Sequence, residues 1–456
     1  MGRCADIECS AYAGTWLELK MKKELNVTNT AQPNQTAASE RAQDHVQHDR
    51  LQSIIAELAA FGGRSDGGVS RETLTDNDLK ARRYLIELAR SLGCLVTIDD
   101  CANLFFRRPG TSDLPPVLTG SHADTQPVGG KLDGAYGVLG GLEVIAALND
   151  AGIKTLRPVE VVVWTNEEGC RFGPGAMGSS AFVNPGCLPT YRKSVDAKGI
   201  SFGNALDLAL EAVPDVLRRP MAQPMSAYVE LHIEQGPVLE RAVVPLGVVT
   251  GIQSVRWYRI QLTGIAGHAG TMPMGERVDA MAAAVELAQQ LYAYQALEAG
   301  EKLRLTLGRW QVSPNSINTI PGAVEFTVDV RCVDEQVLVQ FEAALNKIIQ
   351  AYTWAGQIEF ESLFSSPPTH FPAAMLDLVE RACTRACSRA SLATPLRMTS
   401  GAFHDAMYLA EHCPTAMIFV PSKGGISHNA AEETAPHELF LGVQALAYAV
   451  TSLANS

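Results

Sequence analysis

An α/β fold is predicted for this chain: a mostly parallel sheet with helices on both faces, interrupted by an inserted, smaller α+β unit. Three observations carry the expectation. Short, wholly apolar strands alternate with amphipathic helices, the alternation changes between about Gly247 and Ser366, and it resumes afterwards. A length of 456 residues exceeds one ordinary domain, and a composition 46% hydrophobic and 19% charged supplies cores for two.

Residues 1–48 are expected to form a flexible extension, because KKELNVTNTAQPNQTAASERAQDHVQH is polar with little periodicity. Met21 offers an alternative start within it. From residue 49 the period changes. LQSIIAELAAFG and LKARRYLIELARSLG each place apolar residues at helical spacing, and Gly93 ends the second. The strands LVTID, PPVLTG, VEVVVW, AYVELHI and TAMIFV follow, with the helix AYGVLGGLEVIAALNDAG among them. Continuous apolar strands between helices are the pattern of a parallel sheet covered on both faces.

Residues 49–246 and 367–456 are assigned to this larger unit, and 247–366 to the insertion. There VRWYRIQLTG, LRLTLGRWQV, VEFTVDVRCV and GQIEFESLF are strands, while VDAMAAAVELAQQLYAY and VLVQFEAALNKIIQAY are helices. Strand–helix–strand–strand–helix–strand is the split βαβ arrangement of a small sandwich. The helix MLDLVERACTRACSRA returns the chain to the larger unit.

Charge and composition exclude several functions. A formal net charge of −12 opposes nucleic acid and anionic membranes, both of which need basic surface. No apolar run reaches the ~18 residues of a membrane span. MGRCADIECSAYAGTW lacks the basic-then-apolar layout of a secretion signal, so a cytoplasmic protein is expected. The ten cysteines form no CxxC pair, and Cys383 and Cys387 fall one helical turn apart; reduced, structural thiols are expected.

The chemistry is concentrated where strands end. VLTGSHADT places His122 just past a strand, with Asp124 two residues on. KLDGAYG puts Asp133 in a glycine-flanked turn before a helix. VVVWTNEEG ends a strand at Glu167 and Glu168, AYVELHIEQG carries His232, and FVPSKGGISHN ends near His428. Each feature taken singly has an ordinary explanation: a hydrogen-bonded histidine, a turn, a surface acid pair. Together they gather at equivalent ends of strands, where open α/β sheets form their crevice. Three histidines and two carboxylates suffice for two divalent ions about 4 Å apart, with one carboxylate between them. Imidazole with carboxylate suits zinc, manganese, cobalt or nickel.

These strings, with HAGTMPM, NSINTIPG, DVR and SGAFHDA, resemble the M20 family of di-metal amidohydrolases and peptidases over residues 50–453. More narrowly they resemble the branch of N-carbamoyl-L-amino acid hydrolases, β-ureidopropionase and allantoate amidohydrolase. The resemblance implies a catalytic α/β domain plus a dimerisation or lid domain, hence a homodimer through the insertion. It implies two divalent metal ions per subunit, held by His122, Asp133, Glu168, His232 and His428, with Asp133 bridging. Asp124 would orient His122, Glu167 would act as general base, and His268 would stabilise the oxyanion, often from the partner subunit.

The resemblance also implies substrate recognition by Gln235, Asn318, Arg331 and Gly401. Arg331 shares a strand face with Asp329, so a local ion pair and a fork onto a substrate carboxylate are both open. His404 is expected near the pocket, with a structural role open to it. The chain departs from the family pattern at Phe403, where glycine is common, and at Met272, where a small residue is frequent. The expected activity is hydrolysis of the ureido C–N bond of a small N-carbamoyl amino acid. The alternatives are allantoate hydrolysis, an aminoacylase or dipeptidase on the same scaffold, and a non-catalytic binding protein.

Overall fold

The computed structural model describes residues 33–456. In chain order the strands are β1 (Leu95–Ile98), β2 (Leu104–Arg108), β3 (Val117–His122), β4 (Val159–Trp164), β5 (Leu217–Arg218), β6 (Ala227–Ile233), β7 (Gly247–Ile252), β8 (Ser254–Thr263), β9 (Gly267–His268), β10 (Arg304–Ser313), β11 (Thr319–Ile320), β12 (Ala323–Cys332), β13 (Gln357–Ser366), β14 (Thr369–His370), β15 (Leu396–Ser400) and β16 (Thr415–Val420). The large sheet runs β14-β7-β16-β6-β3-β4-β2-β1-β5, with β15 also on β7. At its centre β4, β3, β6 and β16 are mutually parallel, and every residue of these four strands is buried. Antiparallel pairings join β2 to β4 and β7 to β16.

Helices cover both faces of that centre. Consecutive strand residues point to opposite sides, and β6 shows where each side leads. The Leu231 side chain meets the helices Ala135–Asp150 and Pro436–Ala454 at Gly140 and Gly442. The neighbouring Glu230 accepts a hydrogen bond from the backbone N–H of Ala406, at the start of the helix Ala406–His412 on the other side. No helix among the described residues is long and apolar enough to cross a membrane.

One glycine in β3 is set by the closeness of its neighbour. Gly120 has φ of 135°, and a Cβ there would lie 2.1 Å from the carbonyl oxygen of Val162 in β4. Gly120→Ala therefore meets both a backbone penalty and a rigid strand, and should lower stability by about 3 kcal/mol. The test is the urea midpoint; an unchanged midpoint would mean that β4 yields at Val162.

The smaller unit is an antiparallel sheet of order β10-β12-β8-β13. Its burial alternates strictly along β12, as expected when one face packs and the other does not. Tyr258, Ile260, Phe326 and Val328 meet Leu287 and Phe341 from the helices Ala280–Tyr294 and Glu335–Ala351, forming a core of their own. Asp279 and Asp334 cap these helices by accepting backbone N–H bonds in their first turns. The chain also adds a two-stranded ribbon, β9 with β11.

Two expectations are corrected. Gly247–Ile252, expected to open the insertion, belongs to the large sheet, where it pairs with β14, β15 and β16; the small sheet runs from Ser254 to Ser366. GVVTGI is apolar enough for either sheet, and only its partners decide. Residues 33–44, expected to be flexible, form a helix packed on Pro436–Ala454. It buries Ser39, Ala42 and Gln43, while Glu40 and Asp44 pair with Arg385 and Arg389. The side chains it buries are small or polar, so the helix shows no apolar periodicity in the sequence. Residues 1–32 of the expected extension lie outside the described residues, and His48, its last residue, begins the helix His48–Ala59.

Candidate active site

The carboxyl ends of β4, β3, β6 and β16 open onto one crevice, and the predicted ligands gather there. His122 is the last residue of β3, and His232 stands one residue from the end of β6. Asp133 comes from the turn before the helix Ala135–Asp150. Gly134, at φ of 63°, completes that turn, and any Cβ on it would lie 2.4 Å from the His122 ring. The glycine lets the imidazole lie against the backbone.

Asp133 stands between two groups of donors. Its Oδ1 lies 3.6 Å from His122 Nε2 and 3.3 Å from His232 Nε2. Its Oδ2 lies 3.2 Å from His428 Nε2, which is in turn 3.4 Å from Glu168 Oε2. The sets His122–Asp133–His232 and Asp133–Glu168–His428 each have ligand atoms within 4.8 Å of one another, and they share only Asp133. His428 sits in the left-handed region at φ of 52°, and Gln235 nearby at 57°. Strained backbone of this kind clusters at functional sites.

The adjacent acids Glu167 and Glu168 diverge because their turn is held at three points. Asn166 adopts φ of 59°, and its Nδ2 donates to the carbonyls of Phe172, at 2.7 Å, and Pro174, at 3.1 Å. The Asp124 carboxylate accepts the backbone N–H groups of both Glu167 and Glu168, each at 3.4 Å. Glu167 Oε2 then lies 3.5 Å from His122 Nε2, whereas Glu168 turns to His428 and accepts from the Gln126 side chain at 2.6 Å. Asp124 also fixes His122, whose Nδ1 lies 2.9 Å from its backbone carbonyl and 3.7 Å from its carboxylate.

The donor chemistry fits cations. The Nδ1 atoms of His122 and His232 face backbone carbonyls, which turns both Nε2 atoms to the Asp133 side, where Gly134 N–H also donates to His232 Nε2. Among the described residues no lysine or arginine pairs with Asp133, Glu167 or Glu168. Burial pushes Glu167 well above the ordinary carboxylate range, with the nearby acids adding to it. Burial and the Asp133 charge push Glu168 up to about 7. Asp133 is held well below its usual value because three imidazoles outweigh its burial. Burial thus disfavours the ionised forms of Glu167 and Glu168, and divalent cations among these acids and the three imidazoles would favour them.

The remaining predicted residues divide into two places. Gln235, Gly401 and Arg331 line a cleft of about 570 Å³ together with Ser427 and His428. Gln235 does not point at open space: its Nε2 donates to Asp133 Oδ2 at 2.8 Å. Arg331 grips Asp329 with Nε and Nη2 and reaches the Gly401 carbonyl with Nη1, at 3.2 Å, so the local ion pair and a place in the cleft coexist. His268 and Asn318 lie elsewhere. Both are exposed at the β9–β11 ribbon, where Ala269 N–H donates to the Asn318 carbonyl, and among the described residues neither bonds to the cluster. His404 is buried behind His232, its ring edge-on at 4.5 Å and its Nε2 at 2.9 Å from Ser400 Oγ, a packing role. Phe403 packs edge-on against Tyr408 rather than lining the cleft.

Some participants carry no sequence signal. Glu432, in the run AAEE, is buried and accepts the backbone N–H groups of Leu132 and Asp133, at 2.8 and 3.1 Å. Ser427 bridges Glu432 to Asp133.

Comparisons with known proteins place the chain among its relatives. The model of the peptidase family M20/M25/M40 matches residues 118–452, which contain the whole cluster. An N-carbamoyl-L-amino-acid amidohydrolase of Rhizobium meliloti is 38% identical over 90% of this chain and 97% of its own. An allantoate amidohydrolase of Escherichia coli is 36% identical over 89% and 97%. A crystal structure of an amidase of the hydantoinase/carbamoylase family from Burkholderia multivorans superposes with TM-score 0.80 at 42% identity, covering 90% of this chain and 98% of that one. A family match across the crevice, and relatives alike over nearly their full lengths, lead to one conclusion: the chain belongs to peptidase family M20/M25/M40.

Proposed function

We propose that this chain is a metal-dependent amidohydrolase that cleaves the ureido C–N bond of N-carbamoyl amino acids, N-carbamoyl-β-alanine or N-carbamoyl-L-amino acids, yielding amino acid, carbon dioxide and ammonia. One observation carries the reading: two histidine–carboxylate sets meet at Asp133 beside Glu167, next to a cleft that contains Arg331. His122, Asp133, Glu168, His232 and His428 would hold two divalent ions of zinc, manganese, cobalt or nickel. Such ions supply Lewis acidity that polarises a carbonyl and makes a water more acidic.

The chain's own groups do the rest. Glu167, raised by burial, takes a proton from the attacking water and returns it to the leaving nitrogen. Asp124 holds the turn that aims Glu167 and Glu168 apart. The outer edge of Arg331, oriented by Asp329 and Gly401, meets the substrate carboxylate, and Gln235 holds the ureido end from beside Asp133. His268 and Asn318, exposed on their ribbon, would enter a partner's cleft in a homodimer, where His268 would donate to the developing oxyanion.

The Escherichia coli relative favours allantoate as a second reading. Release of ammonia and of free amine from N-carbamoyl-β-alanine, N-carbamoyl-L-amino acids, allantoate and N-acetyl amino acids separates the cases. Turnover of N-carbamoyl acids is expected, with N-acetyl amino acids inert. Free amine from N-acetyl substrates alone would replace the proposal with an aminoacylase.

A further inference from the structure

Arg304 is paired directly with Arg331 across the β10–β12 ladder. Residues opposed in this way project from the same sheet face, and both arginines line the 570 Å³ cleft that His428 borders. Like charges directly opposed disfavour a sheet unless something answers them. Asp329 answers Arg331. Arg304 has Glu301 at 3.1 Å, a carboxylate itself 96% exposed, and solvent screens such a pair.

The cleft offers Arg304 nothing better. Among the described residues lining it, Glu234 carries the one carboxylate, and both its oxygens are taken by the backbone N–H groups of Val238 and Leu239. The Arg304 fork and the outer edge of Arg331, beyond its grip on Asp329, therefore face a space with no free anion, and a guanidinium edge matches a carboxylate in shape and charge. One fork serves the carboxylate common to all N-carbamoyl amino acids. The other is unassigned.

We infer that Arg304 is a specificity-determining residue that selects ureido acids with a second carboxylate on the side chain, such as N-carbamoyl-L-glutamate or N-carbamoyl-L-aspartate. The inference rests on the amidohydrolase reading and deepens it. The test compares N-carbamoyl-L-glutamate with its neutral isostere N-carbamoyl-L-glutamine, using the manganese- or zinc-loaded full chain. The acid is expected to exceed the amide in kcat/KM by ~10-fold or more, the scale of one charge-assisted contact. Arg304→Gln is expected to collapse that ratio toward one. A parent ratio near one, or a ratio that survives Arg304→Gln, overturns the inference.

Calorimetric binding of the same pair keeps the two readings separate. Suppose no ureido acid releases ammonia while the acid still binds ~10-fold more tightly in an Arg304-dependent way. The hydrolase reading then falls and the recognition by Arg304 stands. Equal binding and equal turnover of acid and amide remove the inference and leave the hydrolase.

Discussion

Replacing Glu167 with glutamine is expected to lower kcat by ~10²–10⁴-fold, with KM and metal content close to those of the parent. Glutamine keeps the size of the side chain and cannot move a proton. The proposed ligand in that turn is Glu168, which faces His428, so metal binding should survive the change. Stability supplies a second, independent readout. Burial raises the folded-state pKa of Glu167 above its unfolded value, so the stability it contributes is present at low pH and lost as pH rises through the raised value. Above the ordinary carboxylate range the buried acid is therefore a burden on the metal-free fold. Glu167→Gln should unfold at the same or a higher denaturant concentration than the parent at pH 7, the pattern of a residue kept for function. A variant that unfolds earlier and retains kcat would make Glu167 a structural acid.

The parts of this site that were legible in the sequence share a cause. A fully buried parallel strand has no alternation, so a polar residue at its end stands out, and His122, Glu167, Glu168 and His232 did. Roles within the site were less legible, because they depend on how loops cross. Nothing in TNEEG says which acid faces which histidine; the left-handed Asn166 and the Asp124 carboxylate settle that, and Asp124 lies 42 positions before Asn166 in the chain. Glu432 looks like its neighbour Glu433, yet the first is buried under the Asp133 turn and the second pairs with Lys423 at the surface. Gln235 was expected to face substrate, and it also steadies Asp133. His268 and Asn318 show the reverse limit: their strings point to the active site, while the single chain leaves them at the ribbon.

Asp133→Asn is expected to abolish activity, by on the order of 1000-fold or more, because both ligand sets pass through this one side chain. Its two oxygens face different histidines, and an amide offers one neutral acceptor where two anionic ones stood. An ordinary buried ion pair gives a rival explanation of the same geometry. Breaking such a pair costs about 3–5 kcal/mol whether or not metal is present. A metal centre adds something that the ion pair does not: cations that bind only the folded chain stabilise it by about 4 kcal/mol at a thousand times their Kd. The decisive quantity is thus the shift in Tm on adding zinc or manganese after exhaustive chelation. The parent should gain several degrees, and Asp133→Asn should gain little, with metal per chain falling in parallel by elemental analysis. Equal shifts in both proteins would mean that the ions bind elsewhere, and that the three histidines around Asp133 are held by charge alone.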